Sequence, residues 1–231
     1  MRPKPIIAID GPAGAGKSTL ARRVADALGF VLLDTGALYR AVALAAHRGG
    51  VPFEDAARTS ALAEDLVRRT AIELSSKPGG GTVVKLDGED VSQTIRTPLI
   101  AMGASTVSAH PGVRKALLDL QRQAGVLGGI VAEGRDIGTV VFPDAEYKFF
   151  LTASPEVRAR RRFEELVAQG KGEGVTYEST LEEAKRRDAQ DSGRVVAPLK
   201  PAPDARMLDS SEMGIDQVVE TVLSVVRSKE G

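Results

Sequence analysis

The sequence contains no cysteine, and this absence excludes disulfide bonds, thiolate metal sites and cysteine nucleophiles. It also lacks an uninterrupted apolar run of the roughly 18 to 20 residues that are needed to span a bilayer. The apolar stretch near the N-terminus ends at Asp10, before the core of a signal peptide could form. We therefore expect a cytoplasmic protein with no membrane partner.

Net charge is also absent, because 31 Lys and Arg residues balance 31 Asp and Glu residues. Binding to a nucleic-acid polymer depends on many basic side chains across a broad face, so the balance argues against a nucleic-acid partner. A smaller anion is compatible with it, since arginine, whose planar group grips phosphate with two hydrogen bonds, outnumbers lysine about two to one. The length of 231 residues suits one α/β domain with an insertion.

Apolar periodicity predicts alternating strands and helices, which is the pattern of a parallel α/β sheet flanked by helices. The predicted strands are 5–10, 30–33, 129–132, 147–151 and 207–208. The predicted helices are 17–28, 35–46, 54–69, 98–109, 111–124 and 215–226, with two more that begin at Ser154-Pro155 and at a capping box over 180–183.

Three short extended runs interrupt this alternation. They cover 71–74, 82–86 and 89–91, with a glycine-rich loop at 75–81 and an Asp87-Gly88 turn between them. An Asp-Gly pair between short extended runs is a strong hairpin signal. We therefore expect a small antiparallel β insertion at about 70–95.

Residues 11–18 (GPAGAGKS) fit the pattern G-x-x-x-x-G-K-[ST] and lie between a predicted strand and a predicted helix. In that setting backbone N–H groups surround a nucleotide phosphate, Lys17 reaches the β- and γ-oxygens, and Ser18 can ligate Mg²⁺. A glycine-rich turn that only joins two elements is the alternative. The N-K-x-D element of guanine recognition is absent, so we expect ATP. The ATP-binding residues would be Gly11, Pro12, Ala13, Gly14, Ala15, Gly16, Lys17, Ser18 and Thr19.

A second anion site follows the next predicted strand, in the segment DTGALYR at 34–40. Thr35 and Gly36 can present a helix N-terminus to a phosphate, and Tyr39 and Arg40 lie one turn further in. Two anion sites at the carboxyl ends of neighbouring strands suit a donor and an acceptor phosphate held in line. The alternative is an ordinary capped helix with Tyr39 packed in the core.

The segment AEGRD at 132–136 places Glu133 where an acidic residue holds the water shell of Mg²⁺ in P-loop enzymes. Arg135 and Asp136 follow Glu133 closely and are adjacent to each other, so one interpretation of these two residues is an ion pair on the surface.

A run of arginines at 158 and 160–162 also has two interpretations, the face of a solvated helix or a mobile lid that closes over ATP. The P-loop in the same chain favours the lid. In a lid, Arg158, Arg161 and Arg162 would stabilise charge on the transferring phosphoryl group.

Four segments in this order and spacing, IAIDGPAGAGKST, DTGALYR, AEGRDIGTVVFPDA and RDAQDSGR followed by APL, resemble bacterial cytidylate kinases of the P-loop nucleoside monophosphate kinase family. The resemblance covers nearly the whole chain and includes the small β insertion of the bacterial long form. It implies one P-loop kinase domain over 1–231, a monophosphate-binding region at about 35–110 and an arginine-rich lid at 154–180. One departure is Glu133, where members of the family often carry aspartate.

The resemblance also implies which residues bind the acceptor. Those implied for the CMP phosphate are Thr35, Arg40, Arg135 and Arg194, with Tyr39 packed nearby. Those implied for the cytosine edge are Ser105, Arg114 and Asp136, and those for the sugar are Arg187 and Asp191. The chemistry is consistent, because a carboxylate accepts from the cytosine amino group and an arginine donates to its oxygen and ring nitrogen.

We expect the protein to transfer the γ-phosphoryl group of ATP to CMP or dCMP as a monomer, with Mg²⁺ bound directly by Ser18 and through water by Glu133. Lys17, Arg135 and the three lid arginines would be catalytic. Neither His47 nor His110 is needed as a general base, because the acceptor phosphate, with a second pKa of about 6, is already ionised at neutral pH. The alternatives are a P-loop kinase for another small acceptor, such as another nucleoside monophosphate or shikimate, and an ATP-binding switch without catalysis.

Overall fold

The structure is a computed structural model that describes residues 2–76 and 82–228. Its strands are β1 (Ile6–Asp10), β2 (Val31–Asp34), β3 (Ile72–Ser76), β4 (Thr82–Leu86), β5 (Glu89–Asp90), β6 (Ile130–Gly134), β7 (Tyr147–Thr152) and β8 (Arg206–Asp209). Its α-helices are α1 (Lys17–Leu28), α2 (Thr35–Arg48), α3 (Ala56–Arg68), α4 (Pro98–Val107), α5 (Pro111–Ala124), α6 (Pro155–Ala168), α7 (Tyr177–Ser192) and α8 (Ile215–Arg227). A 3₁₀ turn covers Thr94–Arg96, and a π-helical segment covers Ile137–Val141.

Five strands form a parallel sheet in the order β2-β6-β1-β7-β8, so the predicted α/β architecture is confirmed. The central strand β1 is buried along its whole length, as a strand covered on both faces should be. In the register of the sheet, Asp10 lies beside Gly134, and Asp34 lies beside Glu133. The segments that follow β1, β2 and β6 therefore leave the sheet at the same edge, where ligands bind in open α/β folds.

Different elements cover the two faces of this sheet. On one face, Leu20 and Val24 of α1 and Val222 of α8 belong to a buried cluster with Phe149 of β7. On the opposite face, alternate residues of β1 pack against the segment that follows β6. The spacing of Leu20 and Val24 is the periodicity that predicted α1, and the helix ends at Gly29, whose φ of 63° lies in the left-handed region.

The strands β3, β4 and β5 form a separate antiparallel sheet in that order, which confirms the predicted small antiparallel sheet. Asp87 and Gly88 both have positive φ, 52° and 81°, as a tight two-residue hairpin turn requires. Val84 and Leu86 pack into a buried cluster that also contains Leu38 of α2. Residues 77–81 of the predicted glycine-rich loop lie outside the described residues.

The capping box predicted over 180–183 is wrong. Helix α7 begins at Tyr177, and the box is formed by Thr176 and Ser179, each side chain accepting a hydrogen bond of 3.1 Å from the other's backbone N–H. The Thr180 hydroxyl lies inside the first turn and donates to the carbonyl of Thr176 at 2.8 Å. Two overlapping capping patterns occur in this stretch, and the earlier one adds a turn to the helix.

The two histidines lie at helix ends. His47 is in the last turn of α2, and His110 precedes α5, with its Nε2 atom 2.8 Å from the carbonyl oxygen of Phe53. Within the described residues, no helix combines the length and the apolar character that crossing a membrane would require.

Candidate active site

The glycine-rich loop between β1 and α1 depends on glycine at two positions. A Cβ atom on Gly11, whose φ is 149°, would lie 1.9 Å from the carbonyl oxygen of Leu151. The loop can therefore cross the end of β7 only without a side chain there. Gly16, with φ of 94°, occupies the N-cap of α1 and supplies no side-chain acceptor. The first N–H groups of α1 consequently have no side-chain cap and can face an anion.

Lys17 lies against the inside of this loop. Its side chain is buried, and Nζ donates to the carbonyl oxygen of Pro12 at 2.7 Å. Burial lowers the pKa of Lys17, and the nearby Arg135 lowers it further, although Glu133 opposes both effects. A polyphosphate at the loop would favour the charged ammonium, so the position suits a lysine that binds phosphate oxygens.

Ser18 and Glu133 form the candidate metal site. The Ser18 hydroxyl donates to Oε2 of Glu133 at 2.9 Å, and burial, followed by the charge of Asp34, raises the pKa of Glu133. A hydroxyl and a carboxylate are hard oxygen donors that fit Mg²⁺, an ion that keeps several waters and binds substrate phosphates. The described part of the chain contains no group of three or more His, Cys, Asp or Glu side chains that could form an all-protein metal cage.

The start of α2 is hydrogen-bonded to residues of β2 and β6. Asp34 caps the helix, since its Oδ1 accepts from the N–H of Ala37 at 3.1 Å, and Arg40 lies 3.5 Å from the other oxygen of Asp34. The Thr35 hydroxyl donates to the carbonyl of Glu133 at 2.8 Å. Gly134 is required beside it, because a Cβ atom there would lie 2.7 Å from the Thr35 hydroxyl oxygen.

Tyr39 is buried in the helical core, and its ring also faces Arg114. The guanidinium of Arg114 lies 5.5 Å from the centre of the ring. Burial raises the pKa of the Tyr39 hydroxyl. Tyr39 is therefore packed in the core, which was the alternative to a site residue, and it also contacts Arg114.

A network of buried and partly buried ion pairs joins residues that are predicted to bind the acceptor, and these residues come from three separate segments of the chain. Arg114 forms a salt bridge with Asp136 and donates to the carbonyl of Ser108 at 3.1 Å. Asp191 accepts from Arg135 at 2.7 Å and forms a second salt bridge with Arg194. The surface ion pair that we considered for Arg135 and Asp136 does not form, because each pairs with a different partner.

Arg194 completes the network and retains unused donor capacity. Its Nη2 atom donates to the Ser108 hydroxyl at 3.1 Å, whereas its buried Nε–H has no hydrogen-bond partner. Burial lowers the pKa of Arg194, and the nearby Arg114 and Arg135 lower it further, although Asp191 opposes them. Three guanidinium groups this close together favour the binding of an additional anion.

Two residues that the resemblance assigns to CMP lie at the margin of this network. Ser105 on α4 donates to Oε1 of Gln190 at 3.3 Å, which links α4 to α7. Arg187 forms a salt bridge of 2.7 Å with Glu183 on its own helix.

The arginines of the run contact different partners. Arg158 is buried and donates to the carbonyl of Ala13 in the glycine-rich loop at 3.1 Å and to Asp188 of α7 at 3.0 Å. Arg161 donates to the carbonyl of Ser210 at 2.6 Å, and Arg162 forms an exposed salt bridge with Glu165 at 2.8 Å. Of the three lid arginines assigned to catalysis, the structure brings only Arg158 to the loop.

Three residues that bond to the predicted site residues or to the backbone beside them were not predicted from the sequence. Asp188 pairs with Arg158, Ser108 joins Arg114 to Arg194, and Asp10 accepts from the backbone N–H groups of Ile137 and Gly138. The sequence did contain a signal for Asp10. A carboxylate at the end of a buried apolar strand must have hydrogen-bond partners.

The glycine-rich loop on the central strand, with an arginine-rich anion site at the same edge of the sheet, defines a P-loop kinase. The family model for cytidylate kinase matches residues 7–228. The cytidylate kinase of Syntrophotalea carbinolica is 52% identical over 225 residues, covering 97% of this chain and 93% of the relative. That of Citrifermentans bemidjiense is 50% identical over 225 residues with the same coverage. The chain therefore belongs to the cytidylate kinase family.

A solved structure supports the fold independently. An uncharacterized protein from Eubacterium ventriosum aligns over 97% of this chain and 99% of its own, with a TM-score of 0.53 and 14% identity. At that identity the likeness concerns the fold alone.

Proposed function

We propose that the protein transfers the γ-phosphoryl group of ATP to CMP or dCMP, giving ADP and CDP or dCDP. Membership of the cytidylate kinase family supports this activity. The observation that carries it is the network of ion pairs around Asp136, Arg114, Asp191 and Arg194, which offers both carboxylates and guanidinium groups. Arg135 and Asp191 of this network are close enough to Lys17 of the P-loop to shift its pKa. A phosphate alone would not need the carboxylates, whereas a cytidine monophosphate uses both kinds of group.

The donor binds at residues 11–19. Backbone N–H groups at the start of α1 and the Lys17 ammonium contact the β- and γ-phosphates of ATP. The buried position of Lys17 supports this role, since an ammonium held over the loop by Pro12 needs little rearrangement to meet a phosphate oxygen.

The acceptor phosphate binds to Thr35, Arg40, Arg135 and Arg194. The unpartnered Nε–H of Arg194 supports this assignment, because it is a buried donor that a phosphate oxygen would satisfy. Asp191, which already orders Arg135 and Arg194, binds the sugar together with Arg187. The acceptor oxygen is ionised at neutral pH, so the reaction needs alignment and positive charge but no general base.

The base binds to Ser105, Arg114 and Asp136, with Tyr39 packed beside Arg114. Asp136 accepts from the cytosine amino group, and Arg114 donates to the acceptors on the same edge. Uracil places a carbonyl where cytosine has its amino group, so a carboxylate there would face another acceptor. A buried group left without a partner costs about 1 to 3 kcal/mol, which supports rejection of UMP by about 5- to 150-fold.

Ser18 would hold Mg²⁺ directly, and Glu133 would hold it through water. When bound, the ion neutralises charge on the β- and γ-phosphates. Glu133 orients the Ser18 hydroxyl at 2.9 Å, and its own buried carboxylate is available to a metal-bound water.

Further positive charge comes from Arg135 and from Arg158, Arg161 and Arg162 in the lid, residues 154–180. Arg158 already contacts the P-loop. Closure of the lid over ATP would replace Glu165, the present partner of Arg162, with a phosphate oxygen. The monophosphate-binding region is about 35–110, including the insertion at 70–95, within one kinase domain over 1–231.

An initial-rate assay of ADP release across CMP, dCMP, UMP, AMP and shikimate tests the proposal. We expect CMP and dCMP to be the preferred acceptors. Preference for UMP, AMP or shikimate would replace the acceptor assignment, and ATP binding without single-turnover transfer to CMP would indicate a switch rather than an enzyme.

We also propose that the enzyme works in the cytoplasm as a monomer, without a nucleic-acid or membrane partner. Its balanced charge and the absence of cysteine support this. Analytical ultracentrifugation should give a particle of 24.4 kDa, and a larger one would contradict the monomer.

A further inference from the structure

Asp136 stands at the N-cap of the π-helical segment Ile137–Val141, yet its side chain caps nothing. An aspartate at an N-cap ordinarily accepts a hydrogen bond from one of the first N–H groups of its own helix. Here the Asp136 carboxylate pairs with Arg114 instead. Something else must therefore satisfy the buried N–H groups at the start of this segment.

Asp10 satisfies them from a different strand. Its Oδ1 accepts from the N–H of Ile137 at 2.7 Å, and its Oδ2 accepts from the N–H of Gly138 at 2.8 Å. Asp10 is the last residue of β1 and is almost completely buried. The Asp10 carboxylate therefore caps a segment that lies more than a hundred residues later in the chain, and each of its oxygens accepts from one backbone N–H group.

This arrangement has a consequence for Asp136. If Asp10 did not accept, two buried N–H groups would need another acceptor, and for Gly138, the second residue of the segment, standard helix geometry supplies the carboxylate at the N-cap position. Asp136 would then turn toward its own backbone and away from Arg114. The cap from Asp10 leaves the Asp136 carboxylate available.

We propose that Asp10 is a positioning residue for base selection, which caps the segment after β6 so that Asp136 faces the base of the acceptor. The proposal rests on the base-contacting role given to Asp136 above. The proposal also accounts for the charged residue at the end of the central apolar strand. Asp10 lies beside Gly134 in the sheet, so its carboxylate is close to the segment that follows β6.

The test is the substitution Asp10→Asn, which keeps the size of the side chain and replaces one acceptor with an NH₂ donor. One of the two backbone N–H groups then loses its acceptor. We expect the ratio of kcat/KM for CMP to that for UMP to fall about tenfold or more, while KM for ATP changes less than about threefold. The ratio does not depend on how much of the enzyme is folded, and Asp10→Ser provides a second variant if the first folds poorly.

A matched control is Asp55→Asn. Asp55 caps α3 by accepting from the N–H of Arg58 at 2.9 Å, so the same chemical change removes a helix cap elsewhere in the protein. We expect it to leave the ratio within about twofold of the unsubstituted protein. An equal fall in both variants would mean that any lost cap disturbs selection, and would overturn the proposal.

A double-substitution cycle separates this inference from the proposed function. If Asp10 acts through Asp136, adding Asp10→Asn to Asp136→Ala should not lower the ratio further. Additive losses would overturn the proposal. A large loss with Asp136→Ala and none with Asp10→Asn would overturn it while leaving the function intact. No loss with Asp136→Ala would refute the base-contacting role itself.

Discussion

The donor loop and the acceptor network are built in opposite ways. The donor loop is one continuous segment, residues 11–19, whose shape is determined by backbone conformation at Gly11 and Gly16. The acceptor network combines side chains from three distant segments, and they reach one another through salt bridges such as those of Arg114 with Asp136 and of Arg135 with Asp191. A continuous site can be recognised as a motif, whereas a scattered site exists only once the chain has folded.

The difference also determines how each region can respond to substrate. The first N–H groups of α1 have no side-chain cap, so a phosphate can bind without breaking a side-chain contact. The arginines of the proposed acceptor network already have carboxylate partners, so the proposed binding of CMP there would join or replace existing ion pairs. Only the Nε–H of Arg194 is available there as a buried unpartnered arginine donor among the described residues.

The largest expected effect belongs to the donor loop. Lys17→Ala should lower kcat by about 10²- to 10³-fold, because it removes a positive charge that stabilises the transferring phosphoryl group. Steady-state kinetics with CMP measures it. Lys148→Ala is a matched control, since Lys148 is also buried and also donates to a proline carbonyl, that of Pro143 at 2.6 Å. Near-normal turnover of Lys17→Ala would refute the donor assignment.

The next effect tests whether the acceptor network is independent of the donor loop. Asp136→Ala should weaken CMP binding by about 100-fold, because it removes a base contact and leaves Arg114 as a buried charge without its carboxylate. Binding of an ATP analogue, measured by calorimetry on the same sample, should change less than about threefold. Equal weakening of both ligands would show that the two regions are not separate.

A smaller effect concerns the contact that joins the two regions. Arg158 binds both Ala13 in the loop and Asp188 on α7, which also carries Asp191. Asp188→Asn should lower the free energy of unfolding by about 1 to 3 kcal/mol, because a buried guanidinium loses its charged partner. The same amide substitution at Glu165, the exposed partner of Arg162, should cost less than about 1 kcal/mol in denaturant unfolding. Equal costs would contradict the link.

The smallest effect is a dependence of base selection on pH. Burial raises the pKa of Asp10 to about 6, opposed by the N–H groups of Gly138 and Ile137, while Asp136 raises it and Lys17 lowers it. Protonation removes one acceptor, so the CMP-to-UMP ratio of kcat/KM should be highest above pH 6 and fall a few-fold as the pH drops through about 6. The phosphates of CMP and UMP titrate alike and cancel in the ratio. A ratio that stays constant from pH 5 to 8 would contradict this role of Asp10.

Local patterns in the sequence predicted those features of the structure that depend on residues close together in the chain. The P-loop followed from glycine and lysine spacing, the hairpin from Asp87-Gly88, and α1 from the spacing of Leu20 and Val24. Where two local patterns overlapped, as at Thr176 and Thr180, the prediction chose the wrong one.

Long-range contacts could not be predicted in this way. The bond between Asp10 and the backbone at Ile137 and Gly138 joins residues that become neighbours only through the pairing of β1 with β6. The arginine run separated for a similar reason. Arg161 and Arg162 are three and four positions from Arg158 and are therefore its neighbours on α6, but what each arginine contacts depends on the elements packed around the helix.

The most direct test is a crystal structure of the protein with CMP and a non-hydrolysable ATP analogue. We expect the base to lie against Arg114 and Asp136, the CMP phosphate to contact Arg135 and Arg194, and the analogue's terminal phosphate to lie between Lys17 and that phosphate. CMP bound elsewhere, or bound with its base away from Asp136, would contradict the proposed acceptor site.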